Sequence, residues 1–81
     1  MQDDVKLARP LPGHLLHVEL VDGRSGMFDM KVHLDHPGLA ALKDPAYFAQ
    51  VRVLFGAPSW PGGEDVAPNT IAAELQLATT A

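Results

Sequence analysis

The stretch from His14 to Val21, which reads H-L-L-H-V-E-L-V, decides how the fold is built. Its residues alternate, so that Leu16, Val18 and Leu20 lie on one face of an extended chain and the more polar side chains lie on the other. A strong turn signal, Asp22-Gly23, follows directly. The alternation and the turn together predict one strand of a β-hairpin.

The partner strand of this hairpin is predicted over residues 26–32, where Phe28, Met30 and Val32 share a face. Both apolar sets must reach the same core, because a slip of one residue turns every side chain to the opposite face. Whether the connecting loop has an odd or an even number of residues therefore decides which side chains face the core, and its exact composition matters less.

A two-residue Asp-Gly turn fails this requirement, since it pairs Val18 with Met27 and leaves Phe28 outside. A three-residue loop over residues 22–24 pairs Val18 with Phe28 and keeps both apolar sets on one side. We therefore predict a three-residue loop, or a four-residue loop that keeps the same faces.

Other strands are predicted from shorter alternating patterns on either side of the hairpin. A short first strand is expected to end before Pro10, which breaks regular structure. A further strand carries Val51, Val53 and Phe55 on one face. The predicted strands lie near residues 5–8, 14–21, 26–32, 51–55 and 59–60.

Helical structure is predicted in the long connection at residues 38–50 and at the C-terminal end. Asp44-Pro45 is typical of a helix start, with the proline in the first helical position. The last element is a helix from about residue 68 to 77, with Ile71 and Leu75 on its apolar side.

These elements predict a single α+β domain over residues 1–81, with an ordered core of about residues 5–77. Its sheet is small and antiparallel, with about four strands, and the C-terminal helix packs on one face. A chain of 81 residues buries only a thin core. We therefore expect that self-association adds stability; a small protein partner is a separate expectation, implied by the family resemblance described below.

Several classes of protein are disfavoured by the composition. The chain has no cysteine, which removes disulfides, thiolate zinc sites and cysteine nucleophiles. The acidic residues Asp3 and Asp4 are the opposite of a basic signal-peptide start, and no apolar stretch approaches the length of a membrane span. We expect a cytoplasmic protein that does not bind a membrane.

The charge pattern argues against nucleic-acid binding by this chain alone. The chain has ten acidic and six basic residues, for a net charge of −4, and the basic residues are scattered singly along the sequence. Binding to a phosphate backbone draws on clustered Lys and Arg side chains.

No catalytic motif is present, so we predict that the protein is not an enzyme and needs no cofactor. The hydroxyl residues form no nucleophile elbow, and the glycines form no phosphate-binding loop. The acidic pair Glu64-Asp65 has the chemistry of a general acid and base or of a cation site. Its more ordinary interpretation is a turn in which Asp65 accepts backbone N–H groups.

Two H-x-x-H pairs, His14/His17 and His33/His36, raise the question of a metal site. Such a site would need His17, His33 and a carboxylate such as Asp35 to converge across the hairpin. We keep these three as weak candidates and interpret the histidines first as surface or loop residues, without assigning a metal.

Several blocks of the chain together resemble a known bacterial family, the domain of unknown function 2442. The blocks are L-V-D-G at 20–23, Asp29 after an apolar pair, L-K-D-P-A-Y-F-A-Q-V at 42–51 and W-P-G-G-E-D-V-A-P at 60–68. The last block is the most specific, although Gly62 stands where that family usually has Asn. The resemblance spans roughly residues 5–77.

This resemblance implies a small α+β domain that acts by binding. Some members carry a helix-turn-helix domain and are assigned as transcription regulators, and many are encoded beside a small partner and assigned as antitoxins. It therefore implies a protein-interaction module, the antitoxin-like partner of a two-protein system. The alternatives are a DNA-binding transcriptional regulator acting with a partner, and a domain that binds a metal or small ligand.

Three residues are candidates for partner binding. Trp60 is either a core residue, the more frequent outcome, or an interface anchor beside flexible Pro and Gly residues. Asp29 is expected on the outer face of its strand, where it orders a neighbouring loop or faces a partner. Asp65 is the third candidate, and the contact is expected at an edge strand or at the Trp60 loop.

Overall fold

A computed structural model describes residues 4–77 and contains strands, short helices and tight turns. The strands are β1 Val5–Leu11, β2 Leu15–Leu20, β3 Ser25–Asp29, β4 Arg52–Leu54, β5 Ala57–Ser59 and β6 Gln76–Leu77. The α-helices are α1 Pro45–Phe48 and α2 Pro68–Glu74, and the 3₁₀ helices are Lys31–His33 and Pro37–Lys43. The predicted α+β class, with antiparallel pairing and a C-terminal helix, is confirmed.

The strands form two antiparallel sheets rather than the single sheet predicted. A four-stranded sheet has the order β1-β2-β3-β6, and β4 pairs only with β5 in a two-stranded sheet. The two are joined where the Val5 N–H donates to the Gly56 carbonyl over 2.8 Å. The predicted strand at 51–55 therefore belongs to a separate hairpin beside β1.

The β2–β3 hairpin keeps the predicted faces but shifts the pairing by two residues. Leu16 lies opposite Phe28 and Val18 lies opposite Gly26. The Leu20 N–H donates to the Arg24 carbonyl over 2.8 Å, so the three-residue loop is 21–23 rather than 22–24. The loop length and the buried faces were predicted correctly, but the predicted cross-strand residue pairs were wrong.

Strand β3 ends at Asp29, three residues earlier than predicted. The Asp29 carboxylate accepts the Lys31 N–H over 2.9 Å, and Met30 already has helical backbone angles. This local bond starts a 3₁₀ turn in place of further strand. Val32 therefore leaves the core face and is 66% exposed.

Strand β1 runs through Pro10 to Leu11, although Pro10 was predicted to stop it. β1 is the terminal strand of its sheet, with β2 as its only partner within that sheet among residues 4–77. Proline is tolerated on such a strand because the missing N–H need not face another strand.

Helix α2 is shorter than predicted, because Leu75 has an extended backbone and ends it after Glu74. Residues 76–77 then pair with Gly26 and Met27 of β3. Ile71 is fully buried and Leu75 packs partly against the core, as the predicted helix face required.

The core is one continuous cluster. It contains residues of β1, β2, β3, the 3₁₀ helix Pro37–Lys43, α1 and α2, and Val53 of β4 packs against it. Leu42 and Phe48 bring the long connection into it, and Asp44 caps α1 by accepting the Ala46 N–H over 3.0 Å. No helix within residues 4–77 combines the length and apolar character needed to cross a membrane. The buried apolar residues are Val5, Leu16, Val18, Leu20, Phe28, Met30, Leu34, Leu42, Phe48, Trp60, Val66 and Ile71.

Candidate protein-interaction surface

The two longest motif blocks of the sequence pack directly on each other. Trp60 is only 1% exposed, and its Nε1–H donates to the Phe48 carbonyl over 2.9 Å. The two aromatic rings stack with centroids 5.9 Å apart. Trp60 is therefore a core anchor, and its proposed role as a partner contact does not fit its position.

A second link between these blocks involves the Tyr47 hydroxyl. It donates to Glu64 Oε1 over 2.6 Å and accepts the Gly62 N–H over 2.6 Å. Because the Glu64 carboxylate accepts this proton, the pKa of Tyr47 is raised above its usual value. Glu64 is thus a structural acceptor that fixes the turn to α1.

Gly62 leaves room for this arrangement. A Cβ atom at position 62 would lie 2.6 Å from the Tyr47 hydroxyl oxygen and 3.0 Å from Glu64 Oε1. Both atoms are the free ends of side chains, so a larger residue here would displace them and break their hydrogen bonds.

The β4–β5 hairpin turns at Phe55-Gly56, both with left-handed backbone angles, at φ 53° and 77°. Leu54 pairs with Ala57, so this is a two-residue turn of the kind that normally carries Asn-Gly or Asp-Gly. Phe55 is fully exposed, at 101%. An exposed bulky residue in this backbone region is an outlier that calls for a reason.

Phe55 stands at the end of a surface that we call the hairpin face, formed by Arg52, Leu54, Phe55, Ala57 and Asp65. Cross-strand pairing places Leu54 beside Ala57 and Arg52 beside Ser59 on one side of the hairpin. These residues border an open depression of about 360 Å³. The face is apolar at its centre, with a basic side chain and an acidic side chain among its borders.

The predicted partner residues Asp65 and Asp29 lie in different places. Asp65 is exposed on the hairpin face, next to Ser59 through an isolated β-bridge. The carboxylate of Asp29 accepts the Lys31 N–H instead, so Asp29 orders a neighbouring loop. Of the three predicted partner residues, Asp65 is exposed on this surface, whereas Trp60 borders the depression but is almost fully buried.

The candidate metal ligands do not converge. His33 Nε2 lies 2.8 Å from Glu74 Oε1, His17 Nε2 lies 3.5 Å from Glu19, and Asp35 lies 3.9 Å from the Lys43 amino group. Within residues 4–77, no group of three potential ligands is close enough to hold an ion. The three weak candidates His17, His33 and Asp35 are therefore not brought together.

A second depression, which we call the His14 hollow, lies at the β1–β2 turn and holds about 270 Å³. The rings of His14 and Phe48 meet there at a tilt, with centroids 5.1 Å apart. His14 Nε2 is buried and has no hydrogen-bond partner within the described chain. The hollow is bordered by Pro10, Leu11, Pro12, Gly13, His14, Pro45, Phe48 and Ala49.

Phe55 is the surface residue that sequence reasoning missed. The alternation of Val51, Val53 and Phe55 placed it on the same strand face as the two valines. The signal that could have found it is Gly56, because a glycine at the second position of a two-residue turn makes the preceding residue the tip.

Comparison with known proteins gives a family and no further relative. No curated protein and no solved structure matches the chain. The family described as protein of unknown function DUF2442 matches residues 5–76, which is nearly the whole sequence. The chain therefore belongs to this family.

Proposed function

We propose that this domain is a protein-interaction module that binds a partner protein through the hairpin face. The observation that carries the proposal is Phe55, a fully exposed aromatic side chain held in a left-handed turn conformation. Its ring is not buried, and its backbone lies in a region that is unfavourable for a bulky residue.

Two opposing free energies act on Phe55. A left-handed backbone costs a residue other than Gly, Asn or Asp about 1–2 kcal/mol. Burial of a Phe side chain in a complex returns about 1.5–3 kcal/mol. Binding therefore offsets the cost of presenting an aromatic residue at the tip.

The surroundings of Phe55 resemble the anatomy of a small interface. Leu54 and Ala57 extend the apolar centre, while Arg52 and Asp65 supply charged groups at the border. A matching partner has an apolar pocket for the aromatic ring, an acidic group for Arg52 and a basic group for Asp65. Covering such a pocket is how the antitoxin-like role implied by the family resemblance would work.

A capture experiment with a matched control tests this function. We expect tagged wild-type protein to retain a partner from the native cell extract, and Phe55→Asn to lose it. Val32→Asn removes another exposed apolar side chain, remote from the hairpin face in sequence, and should retain the partner. Equal capture by wild type and Phe55→Asn would contradict the proposal.

A further inference from the structure

We propose that, when no partner is bound, the hairpin tip of one copy inserts Phe55 into the His14 hollow of a second copy. This inference rests on the proposed function, because both use Phe55 as the anchor. It adds a resting state in which the protein covers its own exposed aromatic side chain.

The hollow has the chemistry that an aromatic side chain needs. Its lining is mostly apolar, with three prolines and the ring of Phe48 among its borders. The His14 and Phe48 rings are tilted against each other, an arrangement that a third ring can extend by edge or face contacts.

The hollow is at the lower limit of size for a ligand pocket and has room for one side chain. Pockets that enclose small-molecule ligands commonly hold about 300–1,000 Å³. The His14 hollow holds about 270 Å³ and is open on one side. One aromatic side chain with the narrow turn that carries it suits this space.

The hollow and the tip cannot meet within one chain. The Val5 N–H donates to the Gly56 carbonyl, which places the tip at the start of β1. Leu11 borders the hollow at the other end of the same strand. The two ends of β1 are roughly 20 Å apart, so only a second molecule can bring Phe55 to the hollow.

Two variants separate the two halves of the contact. Phe55→Asn removes the tip and leaves the hollow intact. Ala49→Arg places a long charged side chain at the border of the hollow and leaves Phe55 intact; Ala49 is exposed, so the fold should tolerate the change. Circular dichroism and thermal unfolding check that both variants are folded.

Sedimentation across a wide concentration range then measures self-association. We expect wild type and Val32→Asn to associate, and each of the two variants to associate roughly 10- to 100-fold more weakly. An equimolar mixture of the two variants should regain one contact, because one supplies Phe55 and the other supplies an open hollow. The His14 ring signals in NMR should shift with concentration in wild type but not in Phe55→Asn.

The outcomes distinguish this inference from the proposed function. A monomeric wild type, or a mixture that fails to regain association, overturns the inference while leaving partner capture intact. If the self-association and the proposed partner binding are both correct, Ala49→Arg should lose self-association yet capture the partner at least as well as wild type. If Phe55→Asn captures the partner normally but fails to self-associate, the proposed function is wrong and the tip serves self-association alone.

Discussion

The turn between β2 and β3 is made of residues that stabilise it locally, whereas the turn between β4 and β5 carries a residue that does not. In the first, the Asp22 carboxylate accepts the Arg24 backbone N–H over 3.0 Å and the Arg24 Nε–H over 2.8 Å. Gly23 takes the left-handed position that glycine favours. In the second, Phe55 occupies such a position with its ring in solvent.

The contrast shows that the backbone strain at the β4–β5 tip is local and that contacts of the rest of the hairpin hold the tip in place. The β4–β5 hairpin is held at its base by Trp60, whose indole N–H bonds to the long connection, and at its tip by the bond from Val5 to Gly56. A rigid base allows one turn to keep an unfavourable residue without unfolding.

The largest effect is expected from replacing the turn glycines with alanine. Gly56→Ala should lower the free energy of unfolding by about 1–3 kcal/mol, because the left-handed angle strains any side chain. The added Cβ would also lie 2.7 Å from Asp4 Cγ. Gly23→Ala should cost about 1 kcal/mol, because only its backbone angle is affected.

Urea unfolding of both glycine variants measures this difference. A Cβ at Gly23 meets no atom within 4 Å, which makes it the matched control for crowding. If Gly23→Ala costs as much as Gly56→Ala, the close approach at the β4–β5 tip does not contribute to stability.

A smaller effect of opposite sign is expected at the tip itself. Phe55→Asn should raise the free energy of unfolding by about 0.5–1 kcal/mol, because Asn tolerates the left-handed region. Val21→Asn, in the β2–β3 loop, should change stability little, since Val21 has no left-handed strain to relieve. A loss of stability in Phe55→Asn, measured by thermal and urea unfolding, would show that the tip is not strained.

The smallest effect is a pH dependence of the β2–β3 turn. The Arg24 backbone N–H bond, helped by the Arg24 side chain, lowers the pKa of Asp22 below its usual value. A lowered folded-state pKa adds stability above the unfolded value of about 3.9, and this gain is lost as the pH falls through the folded value.

Asp22→Asn tests this effect because it keeps an acceptor oxygen but cannot ionise. Wild type should be slightly more stable than Asp22→Asn near neutral pH, and the difference should shrink below about pH 4. A difference that stays constant across this range would mean that the Asp22 charge contributes nothing.

The features that could be predicted from the sequence are those fixed by neighbours along the chain. Leu16, Val18 and Leu20 set the buried face of β2 through simple alternation. Asp44 caps α1 through a bond to a residue two positions away. In both cases the decisive physical interactions lie within a few residues.

The features that were missed depend on contacts between distant segments or on competing local bonds. Residues 76–77 continue the helical pattern of α2, but pairing with β3 draws them into a strand. The carboxylate of Asp29 stops β3 where alternation alone would continue it. For the candidate surface, Asp65 was predicted and Phe55 was not. The alternation of Val51, Val53 and Phe55 indicated a strand residue, and the turn signal of Gly56 was not used.

The contact between Tyr47 and Gly62 also limits which residues position 62 accepts without cost. A Cβ there would stand 2.6 Å from the Tyr47 hydroxyl oxygen and 3.0 Å from Glu64 Oε1, and both atoms are the far ends of side chains. A larger residue would therefore displace these two groups rather than the backbone, and it would break the bonds that the hydroxyl makes to Glu64 and to the Gly62 N–H. A side chain at position 62 and the closure of Tyr47 over this turn are thus alternatives.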